Sequence, residues 1–80
     1  MSYHLTVIPK GKLGEFSKVE EEFLEAKDAV AQNNPLMALQ ECSDLIGAIE
    51  AYALKFNLSL GDIIAMKNAT QRAFNSGHRK

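Results

Sequence analysis

Tryptophan is absent from these 80 residues, proline occurs twice and cysteine once. The lone Cys42 cannot close an internal disulfide, which excludes a disulfide scaffold and fits a reducing compartment, so a cytoplasmic protein is expected. One cysteine plus His4 and His78 at opposite ends also excludes a Cys/His zinc site. No run approaches about 18 apolar residues, so no transmembrane helix is expected. The opening MSYHLTVIPKGK has no basic segment ahead of a long apolar run, so no signal peptide is expected either. Net charge is also small. Nine basic and ten acidic residues give −1, which argues against a general binder of nucleic-acid polymers. What is present is a hydrophobic fraction of 46%, too high for a disordered chain. A domain this short buries only roughly 60% of its unfolded surface, so a lone core is marginal.

The near-neutral total hides an asymmetry. Between Glu15 and Asp28 six acids stand against Lys18 and Lys27, a net of −4. Between Lys67 and Lys80 there are four bases and no acid, a net of +4. A metal ion with a polyphosphate fits between such charges. Ion pairing between helices is the plainer explanation, and charge alone favours it.

Residues 3–8 have strand-like composition, and Pro9, Gly11 and Gly14 then break the chain. Residues 1–14 therefore read as an extended arm ahead of a single all-α domain, 15–80. The first helix is expected over 15–32, because Phe16, Val19, Phe23, Ala26 and Val30 recur at spacings of three and four. Asn33-Asn34-Pro35 ends it and starts the second, over 35–56, with Asn34 as N-cap and Pro35 at the first helical position. Asn57 closes that helix. Ser59 and Asp62 form a capping box for the third, over 59–75, with Gly77 as a C-terminal stop. Short connections imply a helical hairpin plus a third helix.

Glu22 and Glu25 are three apart on the first helix, with Glu21 beside them, and Glu41 and Asp44 are three apart on the second. Residues at that spacing share a helix face. Two such pairs on neighbouring helices can gather four carboxylates, the oxygen donors that Mg²⁺ takes. On the second helix Glu41 and Asp44 fall between Met37, Ala48 and Ala51, a face made for packing, whereas Gln40, Ser43, Gly47 and Glu50 mark the solvent side. Buried carboxylates need a cation, an ion pair or a raised pKa. Lys18, Lys67 and Arg72 are the ion-pair candidates. Glu20 and Asp28 are assigned to a solvated face.

Other residues carry weaker signals. Cys42 shares an apolar arc with Ile46 and Ile49 and reads as core rather than nucleophile. His4 and His78 read as bystanders near the chain ends. Gly11-Lys12-Leu13-Gly14 lacks the length and the following Lys-Ser/Thr of a phosphate loop. Tyr52, Phe56 and Phe74 can stack on a base, but as helix aromatics they read as core.

The run Glu21-Glu22-Phe23-Leu24-Glu25, followed after fifteen residues by Glu41-Cys42-Ser43-Asp44, resembles the EExxE and ExxD signature of the all-α nucleotide pyrophosphohydrolases. These are the MazG-like enzymes and their relatives. Lys67-Asn68 is similar to the Lys-Asn pair that MazG-like chains carry on the next helix, and Thr70 to Arg79 looks like the end of the small phage-encoded members. The resemblance covers residues 15–75. It implies Mg²⁺, with Mn²⁺ as a substitute, held by Glu22, Glu25, Glu41 and Asp44, and Glu21 assisting the attacking water. It also implies cleavage of a nucleotide to its monophosphate and pyrophosphate, and a homo-oligomer, dimer or tetramer, with a four-helix core. Lys67 and Arg72 are expected to clamp phosphates and Asn68 to meet sugar or phosphate, with Lys67 facing the acids of its own chain. A non-catalytic helical module that binds a nucleotide or a protein is the alternative from a different class.

Overall fold

The computed structural model describes residues 4–77, which form three α-helices and no strand: α1 (Phe16–Ala31), α2 (Pro35–Leu54) and α3 (Leu60–Asn75). His78, Arg79 and Lys80 lie outside the described residues, as does Tyr3 of the strand-like stretch. Residues 4–8 form no strand.

The local chemistry sets the helix ends. Asn34 Oδ1 accepts from the Met37 N–H at 3.1 Å, and Pro35 takes the first turn, where a missing N–H costs nothing. Ser59 and Asp62 form the reciprocal capping box, with Ser59 N–H donating to Asp62 Oδ2 at 2.8 Å. Two of the stops are asparagines in the left-handed region, Asn33 (φ 56°) and Asn57 (φ 61°), a conformation Asn tolerates better than most side chains. α2 therefore stops at Leu54, two residues before the expected Phe56, and the N–H groups of Asn57 and Leu58 turn back onto Leu54 and Ala53.

α1 and α2 pack as a hairpin along their length, whereas α3 rests lightly on α2 and does not reach α1. The hairpin seam is built from small residues. The only buried hydrophobics among the described residues are Ala26, Ala29, Ala48 and Ala53. The larger members of the α1 stripe stay open: Phe16 and Phe23 are 54% exposed and Val30 is 65% exposed. Cys42 and Ile46 are likewise exposed, which corrects their placement in a core. Tyr52 stacks edge-on against Phe16 and Phe56, with ring centroids 5.4 and 5.2 Å apart. No helix among the described residues is long and apolar enough to cross a membrane.

Alanines bring the two backbones close, and this closeness is what lets acidic side chains meet across the seam. Ala29 is fully buried, so Ala29→Leu should force the hairpin apart at a cost of about 1–3 kcal/mol. Chemical denaturation checks this, and a variant as stable as wild type would contradict the packing described.

Candidate metal centre

Four acids of the hairpin are shut away from solvent: Glu21, Glu22 and Asp28 from α1 and Glu41 from α2. Glu25 is half-buried beside them, and Asp44 lies exposed at the edge, where Gln40 Nε2 donates to its Oδ1 at 3.2 Å. Of the two α2 acids placed by sequence on a packing face, only Glu41 is thus buried.

The carboxylates nevertheless converge. Glu22, Glu41 and Asp44 each offer an oxygen within 4.8 Å of the others, and so do Glu21, Glu22 and Glu25. Glu22 belongs to both sets, so the five acids expected from the sequence form one continuous group. Two of its buried oxygens, Glu22 Oε2 and Glu41 Oε2, have no hydrogen-bond partner.

Two cations already serve part of the group: the exposed Lys10 Nζ lies 3.7 Å from Glu21 Oε2, and Lys18 is closer. Lys18 Nζ lies 3.0 Å from Glu22 Oε1 and 3.2 Å from Glu21 Oε1, and the hydrogen bond to Glu22 raises its pKa against the effect of burial. Gly11 N–H donates to Glu21 Oε1 at 2.8 Å and, together with Lys18, holds the Glu21 carboxyl below the usual range. Glu25 goes the other way. Burial, then its contact with Glu41 and the charges of Glu22 and Glu41, push it up to about 8. In the metal-free chain Glu25 therefore keeps its proton into the neutral range, between the charges of Glu22 on its own helix and Glu41 across the seam.

Asp28 is not on a solvated face. Burial alone would raise its pKa, but the backbone N–H groups of Leu5 and Thr6, the Gln32 amide and the Thr6 hydroxyl all donate to it and hold it at about 2. Asp28 follows Glu21 by seven residues, which at 100° each leaves the two only about 20° apart around the helix, so the helical wheel carried this signal. His4 is no bystander either. Its Nδ1 lies 3.6 Å from Asp28 Oδ1 and its Nε2 4.0 Å from Glu25 Oε1. Nothing local in the sequence announces a contact spanning more than 20 residues. Glu20 is exposed, as expected.

The basic residues of α3 stand apart. Lys67 Nζ donates to Gln71 Oε1 at 3.2 Å and lines a groove with Ile46, Ile49, Leu60, Ile63 and Ile64. Among the described residues no ion pair joins Lys67 or Arg72 to an acid, and Asn68 is exposed. Comparison with family models, curated proteins and solved structures returned no match.

The raised Glu25 fixes the sign of a pH effect. Between its ordinary 4.5 and about 8 the folded chain holds a proton that the unfolded chain has lost. Stability of the metal-free protein should therefore fall as pH rises across that window. The lowered Asp28 acts in a separate window, where its contribution is lost as pH drops from 3.8 through about 2. Denaturation midpoints between about pH 5 and pH 8 check the first effect. Glu25→Gln should flatten the slope, and an unchanged slope in that variant would contradict the assignment.

Proposed function

We propose that this chain is an Mg²⁺-dependent nucleotide pyrophosphohydrolase, cleaving a ribo- or deoxynucleoside triphosphate or a related nucleotide to the monophosphate and pyrophosphate. The observation that carries the proposal is the pair of buried oxygens, Glu22 Oε2 and Glu41 Oε2, left without a partner in a five-acid group whose two lysines, Lys10 and Lys18, reach only Glu21 and Glu22 Oε1. Stranded carboxylate oxygens are costly in an interior. An oxygen-seeking divalent cation satisfies several of them at once, so the donor set fits Mg²⁺, or Mn²⁺ in its place. Glu22, Glu25, Glu41 and Asp44 would hold the ion. Once bound, the ion supplies positive charge for phosphate oxygens and lowers the pKa of a water molecule. Glu25, protonated near neutral pH in the metal-free chain, would have to lose that proton to solvent to serve as a ligand. Glu21, ionised and already accepting two donors at Oε1, orients the attacking water and is too weak a base to hold its proton for long. The resemblance of the two acidic motifs to the MazG-like enzymes supports the same activity.

Lys67, Asn68 and Arg72 are assigned to the phosphates and sugar, but a single chain does not bring them to the acids. This part of the proposal therefore requires a homo-oligomer, dimer or tetramer, in which α3 of a partner subunit closes the site. Exposed Leu36, Leu39, Ile46, Leu54, Ile64 and Met66 support such an assembly, since helices of this length cannot leave those faces in water at little cost. The exposed thiol of Cys42 is consistent with a cytoplasmic setting. A non-catalytic nucleotide-binding or protein-interaction module is the second possibility. Lys18 favours it, because that ammonium already bridges Glu21 and Glu22 as a structural ion pair would.

A pyrophosphate-release screen over NTPs, dNTPs and alarmones, with Mg²⁺ or Mn²⁺, tests the activity. Glu41→Gln and Asp44→Asn should abolish release while the metal-free melting temperature stays equal or rises, because mutual repulsion is relieved. If both variants unfold instead, the acids are structural partners of Lys18 and the module gains. Lys67→Ala should cost on the order of tenfold in kcat/KM, about 1.4 kcal/mol, with little change in stability.

A further inference from the structure

Beside the all-oxygen set of Glu22, Glu41 and Asp44 lies a second set of different chemistry. His4, Glu25 and Glu41 each offer a ligand atom within 4.8 Å of the other two. The imidazole reaches the acids because the segment before α1 is pinned to that helix at two points. At one, the N–H groups of Leu5 and Thr6 both donate to Asp28, at 2.8 and 3.0 Å to Oδ2. At the other, Gly11 N–H donates to Glu21, and Gly11 lies so close to the Ser17 backbone that any Cβ there would collide with it. His4 immediately precedes the first pin and is only 13% exposed at its side chain.

The imidazole lies between two acids. Nδ1 faces the buried Asp28 carboxylate at 3.6 Å, and Nε2 faces Glu25 at 4.0 Å. Both distances exceed a hydrogen bond, so Asp28 sets the side of the ring by charge and proximity, and Nε2 is the nitrogen turned toward Glu25. Glu41, 3% exposed, adds a buried oxygen with no hydrogen-bond partner. We infer that His4 is a metal ligand: with Glu25 and Glu41 it forms a mixed nitrogen–oxygen site for a divalent transition ion, with Asp28 as the residue that positions the ring.

This inference rests on the acids being a metal centre and adds a prediction about which metal they prefer. Mg²⁺ takes oxygen donors and gains little from an imidazole, whereas transition ions bind nitrogen well. The site should therefore discriminate in favour of Mn²⁺ and its heavier neighbours through His4 alone. Asp28 holds the pin as well as the ring, so loss of Asp28 should weaken metal binding without removing a carboxylate from the metal group.

The test uses untagged full-length protein, stripped of metal, with Mn²⁺ as the probe. Pulsed electron paramagnetic resonance of bound Mn²⁺ should show coupling to an imidazole ¹⁴N. The coupling should persist in His78→Gln, the chain's other histidine, and vanish in His4→Gln. In His4→Gln, Mn²⁺ affinity should fall about tenfold or more while Mg²⁺ affinity changes far less, and Asp28→Asn should lose Mn²⁺ affinity on the order of tenfold. Mn²⁺ bound without nitrogen coupling, or with coupling that survives His4→Gln, overturns the role of His4 and leaves the carboxylate centre standing. No Mn²⁺ binding at millimolar concentration overturns both.

Discussion

Where α1 meets α2, the carboxylates of Glu22 and Glu41 are closed off from water with one oxygen of each unsatisfied. A seam of alanines holds the helices close enough for this to happen, and Lys18 relieves only the Glu21 and Glu22 end of the group. An interior normally buries leucines and leaves acids outside. This hairpin does the reverse, with acids and alanines inside and Phe23, Val30 and Leu39 in the open. Such an arrangement is poor for stability, because stranded charge opposes folding and small side chains contribute little burial. It makes sense if a cation supplies the missing partner and if further apolar surface is covered by other subunits.

The metal-free chain limits the repulsion by three separate means. Lys18 neutralises one end, Glu25 keeps its proton, and Asp28 turns its charge away onto the backbone N–H groups of Leu5 and Thr6. Only the last involves no other acid of the group, which is why Asp28 belongs to the frame around the seam and not to the group itself. By tying residues 5 and 6 down, it brings His4 to the same seam from outside the hairpin.

The three helices were legible because their signals are local: an asparagine cap with proline, a capping box, and left-handed asparagines at the stops. The convergence of Glu22, Glu41 and Asp44 was legible for a related reason, since two pairs spaced by three on adjoining helices can hardly avoid one another. Burial was read less well. The stripe of Phe16, Phe23 and Val30 has the period of a core face but is only partly covered by α2, because periodicity reports which residues share a side and not what covers it. His4 was passed over because its partners lie more than 20 residues away, and no pattern within a helix encodes that distance.

The central claim is that the acid seam is a divalent-cation site and not a set of structural ion pairs. The most direct measurement is anomalous diffraction from crystals of the protein soaked in manganese. A peak in the seam within ligand distance of Glu41, the acid common to the set with Glu22 and Asp44 and the set with His4 and Glu25, is the predicted result. The absence of a peak at saturating manganese, with the Lys18 ammonium occupying the centre of the acids, would contradict the account.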